Sequence, residues 1–270
     1  MKRIFMASLA VAAALSLTSC DFLAELLELV EDEVDKAAYV DQWKNLVNET
    51  EYNAVVNGNT LTYGSHTYTV KQEIDLETTE FKKPTASVTF TNVPSGYTEF
   101  EAVYNGLLGQ TLAGTAAMIP MAMEIYARDP DTGQRCFTLL CNGTATVTEI
   151  LRVLKTKFIP STYSSNDDAY IQRFLPAVSL KGALPSKAYA PSTPYTVELT
   201  MSPNGVAASD MAGGDVVYMY ILSEENGGWD TYQCSVSILM PANADHFKVF
   251  DCAACYVQCK NIQGTWAGLK

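Results

Sequence analysis

"YTVELTMSPNGVAASDMAGGDVVYMYILSEENGGWDTYQCSVSILM", residues 195–240, is the stretch that decides the fold class. Tyr195, Val197, Leu199 and Met201 alternate with Thr196, Glu198, Thr200 and Ser202, the period of a strand buried on one face. Residues 216–222, VVYMYIL, are continuously apolar and read as a buried central strand. Gly227 and Gly228 turn the chain, and Tyr232, Cys234, Val236, Ile238 and Met240 then alternate again. The segment predicts an antiparallel meander.

Upstream the period lengthens. Tyr97 to Leu108 reads as a helix, and Thr111 to Ala127 as a second, with Pro120 inside it as a kink or a break. Asp129 to Gly133 (DPDTG) reads as a turn. Thr146 to Glu149 (TVTE) has capping-box spacing and opens a helix through Val147, Ile150, Leu151, Leu154 and Phe158. Asn166, Asp167 and Asp168 can cap a short helix ending before Pro176. Helices first and a meander afterwards define an α+β domain over 87–270, with VTF (88–90) as an early strand. Ahead of it lies a small helix-plus-hairpin unit at 37–86. Tyr39, Val40, Trp43, Leu46 and Val47 predict its amphipathic helix over 37–48, and Asn57-Gly58 and Gly64-Ser65 mark tight turns. The polar stretch 75–87, carrying Pro84, joins the two.

Three segments occur in order: LAGTAAMIPMAMEIYARDPDTGQ (112–134), YIQRFLPAVSLKGALPSKAYAPSTPYTVEL (170–199) and ENGGWDTYQCSVSILMPA (225–242). Together they resemble an uncharacterised bacterial family known only as a domain of unknown function, over roughly 97–242. The most specific piece is the spacing of Gly182, Pro185, Tyr189, Pro191, Pro194 and Tyr195. The cysteine-rich tail lies outside that resemblance, and the family implies no activity. The order of helices and meander is also similar to cone-shaped NTF2-like folds, a likeness of fold alone.

The N-terminus supplies an address. Lys2 and Arg3 precede a nearly unbroken apolar run, Ile4 to Leu17, too short for a bilayer span of roughly 20 residues and suited to a cleaved signal at 1–19. Leu17, Thr18, Ser19 and Cys20 resemble a bacterial lipobox, which implies that Cys20 is acylated and becomes the first residue of a membrane-anchored chain. Segment 20–36 then carries Asp21, Glu25, Glu28, Glu31, Asp32, Glu33 and Asp35. Such an acidic run after the lipid cysteine resembles the surface-export signal of Bacteroidota-type lipoproteins. The implied location is the outer membrane, facing outward. The same segment places Leu23, Leu26, Leu27, Val30 and Val34 on one helical face.

The formal charge of −12, more negative once Lys2 and Arg3 are removed, disfavours nucleic acid, whose binding rests on neutralising phosphates. Six cysteines remain beyond Cys20: Cys136, Cys141, Cys234, Cys252, Cys255 and Cys259. They read first as buried thiols, second as disulfides linking the tail to Cys234 or to the 136/141 pair, and third as metal ligands, since Cys252, Cys255 and Cys259 share a helical stripe. No cofactor and no resident metal are expected. Asp129 and Asp131 resemble half a calcium loop that lacks its remaining ligands. His66 reads as a strand-surface residue. Tyr63, Tyr68, Tyr189 and Tyr195 fall near turns and are candidates for ligand stacking. No hydrolase, P-loop or dinucleotide fingerprint is present. The expected role is a non-catalytic, lipid-anchored binding module for an envelope protein or glycan. The alternatives are a hydrolase-like enzyme using carboxylates such as Asp167 or Asp215 between helices and meander, and a structural part of an envelope assembly.

Overall fold

The structure, a computed structural model, describes residues 51–74, 85–157, 179–184, 191–209, 213–225, 228–229 and 234–257. The expected helix at 37–48, the cap at 166–168, Cys20 and Cys259 lie outside the described residues.

Ten strands are described: β1 Val55–Asn57, β2 Thr60–Tyr63, β3 His66–Gln72, β4 Ala86–Phe90, β5 Tyr195–Ser209, β6 Gly214–Ile221, β7 Glu224–Glu225, β8 Gly228–Trp229, β9 Cys234–Pro241 and β10 Lys248–Asp251. Eight form one antiparallel sheet in the order β1-β2-β3-β4-β5-β6-β9-β10, and β7 and β8 pair separately. The sheet is a meander in chain order with a helical excursion inserted between two neighbours. β4 pairs with β5 through Val88 and Val197, and everything helical from α1 Tyr97–Gly106 through a 3₁₀ turn (Leu108–Gln110), α2 Leu112–Arg128, α3 Pro130–Leu140 and α4 Thr144–Lys157 lies between them in sequence. A short α5, Ala253–Val257, follows β10. The α+β class is therefore observed, helices followed by an antiparallel sheet. The hairpin strands are not a free-standing sheet, for β3 runs directly into register with β4.

Both hairpin turns form, each pivoting on one glycine. The β1–β2 corner lies one residue later than the dipeptide suggested: Asn57 pairs with Thr60, so Gly58 and Asn59 turn, with Gly58 at φ 59. Tyr63 pairs with His66 around Gly64 and Ser65, and Gly64 has φ 58. Both glycines hold a left-handed backbone that side chains resist.

The core face of the sheet is built by alternation. Leu61, Tyr68, Val88, Phe90, Val197, Leu199, Val217, Met219, Val236 and Ile238 are all buried on it. Against it lies α2, buried along its whole length from Leu112 to Ala127. Its alanines and glycine let sheet and neighbouring helices approach from several sides. Thr111 caps it, with Gly114 N–H donating to Thr111 Oγ1 at 3.1 Å. Pro120 is accommodated inside a continuous helix rather than breaking it.

Three local expectations are corrected. DPDTG is a helix start, not a plain turn. Asp129 ends α2 by donating its N–H to Ile125 O, and begins α3 by accepting from Asp131 N and Thr132 N, with Pro130 in the first helical turn. Gly133 lies within that helix at its close approach to α2, where a Cβ would sit 2.3 Å from the Cα of Tyr126. In α4 the helix opens at Thr144, and Thr146 Oγ1 donates to Asn142 O and Phe250 O instead of capping. Strand β5 is not half-buried: Glu198, Thr200 and Ser202 on its second face are enclosed as fully as its core residues. The described loop 179–184 lies there, tied by Lys181 N–H to Thr196 O and by Lys181 Nζ to Glu198 Oε1 at 2.9 Å. β5 also continues past Ser202. A register shift between Met201 and Val206 absorbs the SPN segment, and the strand runs on to Ser209.

Candidate functional site

The first helix, α1, organises two polar constellations. On its first turn, Glu99 is buried to 2% exposure and its carboxylate collects four partners. Ser95 N–H and Ser95 Oγ donate to Oε2, both at 2.8 Å, so the carboxylate reaches back over the helix start. Tyr68 Oη donates to Oε1 at 2.7 Å, and His66 Nδ1 lies 2.7 Å from the same oxygen. A carboxylate only accepts, so Nδ1 carries the proton and the imidazole is fixed in one tautomer. Burial, with the carboxylate beside it, pushes the Tyr68 hydroxyl far up, and it remains a donor. His66, expected as an ordinary strand-surface residue, is thus half of a carboxylate–imidazole pair. The signal in sequence was the Glu99 three residues after Gly96 at a helix start.

The second constellation is a surface groove of about 590 Å³ between α1 and α3, lined by Tyr97, Asp131, Gln134, Arg135, Thr138 and Leu139. That size falls within the roughly 300–1,000 Å³ of small-molecule sites. Arg135 Cζ stacks 3.9 Å over the Tyr97 ring, while Tyr97 Oη donates to Glu101 Oε1 at 2.8 Å. Burial and that hydrogen bond raise the Tyr97 hydroxyl, with Arg135 opposing. Asp131 and Arg135 are one turn apart, yet among the described residues neither enters an ion pair. Of these lining residues only Asp131 stands out in the sequence, as part of half a calcium loop; DPDTG as a turn hides the helix start that presents the others.

The other candidates take structural places. Cys136 lies in α3, Cys141 caps its end, Cys234 opens β9, Cys252 precedes α5 and Cys255 lies within it, and all five are buried thiols. Burial pushes Cys141 up to about 12, with nearby Lys248 pulling the other way. Burial drives Cys252 well above the ordinary thiol range, reinforced by Cys141, Asp251 and Cys234. Thiols held protonated in this way are poor nucleophiles and ligands. Among the described residues no cluster of three or more His, Cys, Asp or Glu is placed to hold a metal ion. Lys248, half-buried and lowered by it, donates Nζ to Leu139 O and lies 4.8 Å over the Tyr104 ring. Of the four tyrosines expected near ligands, Tyr63 and Tyr68 are buried, Tyr195 packs on Phe90 with ring centroids 5.6 Å apart, and Tyr189 lies outside the described residues. Asp215 is exposed on β6, and Asp167 lies outside the described residues. The space between helices and sheet is occupied by core side chains such as Phe90, Phe100, Met118 and Phe137.

Fold and site thus define an α+β protein with a surface groove of mixed polar and apolar lining on its helical layer. The chain belongs to the family described as Domain of unknown function (DUF6935), whose sequence profile matches residues 92–263. That match reaches beyond 97–242 at both ends and takes in the cysteine-rich tail. β1 to β4 precede it, yet they complete the same sheet. No curated protein and no solved structure matches the chain. No described helix is long and apolar enough to cross a membrane, which says nothing of a β-barrel.

Proposed function

We propose that this is a bacterial envelope lipoprotein, held at the outer membrane through acylated Cys20 and facing outward, whose body binds a saccharide in the α1–α3 groove without chemistry. The lipobox and the acidic run behind it support the address. The groove supports the role, and it is the observation that carries the reading. Hydroxyl, amide, carboxylate and guanidinium groups line one depression beside the Tyr97–Arg135 stack, set on two helices packed into the core. Mixed donors and acceptors along one depression suit a polyhydroxylated ligand better than a purely apolar one. Binding of an envelope protein is the competing form of the same role.

Calorimetric titration of the purified chain with oligosaccharides tests the role: at least one binds, and Arg135→Ala weakens it by about tenfold or more without shifting the unfolding midpoint. Failure of every sugar alongside pull-down of a stoichiometric envelope protein would transfer the role to protein binding. Intact mass of material from its native host tests the address. A chain that starts elsewhere than Cys20, without fatty acyl groups, removes it.

A second reading rests on Glu99 and His66. A buried carboxylate that fixes an imidazole tautomer is half of a general-base arrangement. A screen of chromogenic glycosides, esters and peptides tests it. Turnover abolished in His66→Asn would establish it, and turnover that survives in that variant would refute it.

A further inference from the structure

Resting on the saccharide reading, we propose that the groove recognises a pair of neighbouring hydroxyls on an uncharged sugar, with Asp131 accepting from them and Arg135 donating to them. Asp131 and Arg135 stand at i and i+4 on α3, the spacing at which opposite charges on a helix ordinarily close on each other. Here they do not: no ion pair joins them, and neither has another among the described residues. The guanidinium is drawn instead onto the Tyr97 ring, 3.9 Å above its centroid. The contact with the ring holds the guanidinium at the groove, and its N–H donors enter no hydrogen bond among the described residues. The Asp131 carboxylate, exposed and acceptor-only, faces the same space.

A ligand that satisfies both must give and take hydrogen bonds at adjacent atoms. Vicinal hydroxyls on a sugar ring do so, each being donor and acceptor at once. Gln134 and Thr138, next along the same helix, supply further groups of mixed sense. The groove's two charges cancel, so the site itself has no net sign to match a charged ligand. Beside it, Glu101 holds the Tyr97 hydroxyl and adds a negative charge. The whole chain carries −12. A uronate or sulfated sugar would bring its charge against Asp131, Glu101 and that field, at a cost that the single guanidinium must offset. An amino sugar would meet Arg135.

The full chain is titrated with two panels under matched salt: neutral gluco-, manno- and galacto-oligosaccharides, and galacturonate oligosaccharides. The best neutral binder is then repeated in its O-methylated form. The expected result is binding within the neutral panel only, weakened at least tenfold by O-methylation, by Asp131→Ala and by Arg135→Ala. Arg135→Lys, which keeps the charge and loses the stacked fork, falls with them. Preference for galacturonate, relieved by salt, overturns the neutral-diol inference and leaves saccharide binding standing. Neutral binding that both variants leave intact also overturns it, because the sugar then sits elsewhere. No binding in either panel removes the saccharide reading itself, and the inference with it.

Discussion

Glu99 shows how much one residue holds at the smallest scale. Its carboxylate is the meeting point of Ser95, Tyr68 and His66, and so joins the helix start to the β2–β3 hairpin. Removing it strands three or four buried or half-buried donors at once. Each costs about 1–3 kcal/mol when left unmade, so Glu99→Ala is expected to destabilise by about 3 kcal/mol or more, read from the urea midpoint. Glu99→Gln loses less, since its amide oxygen still accepts, while its NH₂ faces other donors. The buried thiols make a second residue-scale case, this time in pH. In the unfolded chain a thiol ionises near about 8.5, whereas Cys141 in the fold is held at about 12. A raised folded value means the stabilisation is whole below the unfolded value and drains away as pH climbs between the two. Stability should therefore fall above pH about 8.5, with a slope approaching about 1.4 kcal/mol per pH unit for each thiol. Lys248, whose ammonium burial pulls down, works in the opposite sense. The comparison is therefore between wild type and Cys141→Ala/Cys252→Ala by denaturation at pH 7 and pH 10, the variant losing less stability over that interval.

Elements were legible where a period ran long enough to be unambiguous. β4, α1, α2, β6 and β9 follow the alternation or the apolar stripe of their sequences, and Pro120 did not interrupt α2 because packing on every side outweighs one lost N–H. Element boundaries were harder, for a physical reason. Asp-Pro-Asp-Thr-Gly is as good a helix cap followed by proline as it is a turn, and the close packing of its Gly133 on Tyr126 is a contact no local pattern encodes. That contact can be tested. In an exposed helix, Gly133→Ala would gain up to about 1 kcal/mol of helix propensity. Here the new methyl would sit 2.3 Å from the Tyr126 Cα, on backbone that cannot swing aside. The strain, about 1–3 kcal/mol, wins, so the thermal midpoint falls. Since α3 carries Asp131 and Arg135, sugar binding should weaken in parallel. β5 was legible on its inward face only. Its outward side reads as polar and exposed, yet Glu198, Thr200 and Ser202 are buried there, Glu198 against Lys181 of a loop 17 residues upstream.

At the scale of the whole molecule, the family match beginning at residue 92 and the sheet disagree about where the folding unit starts. Val88 at 0% and Phe90 at 1% exposure belong to the core, and β4 fills the place between β3 and β5. A chain that begins at residue 92 should be insoluble or lack a cooperative unfolding transition, whereas one beginning at residue 51 should retain it. Circular dichroism and calorimetry distinguish them, and a cooperative transition in the shorter chain would show that β1 to β4 are an appendage. A change in composition around Pro84 divides the sequence into a hairpin unit and a larger domain. Strand pairing across that boundary depends on matching edges, which composition does not reveal.

Thr89 and Thr196 share a hydrogen bond at 3.2 Å although they stand 107 positions apart along the chain. During synthesis, then, β4 exists long before β5 does, and its edge away from β3 waits while four helices are made. Zipping the two together needs closure of a very large loop, whose entropy must be met before any ladder bond rewards it. Refolding in the millisecond-to-second range or slower, with the helices organised early and the sheet sealed last, follows from this order of events. Until it is sealed, β4 is an open edge to any other strand nearby, so yield on refolding should drop as protein concentration rises.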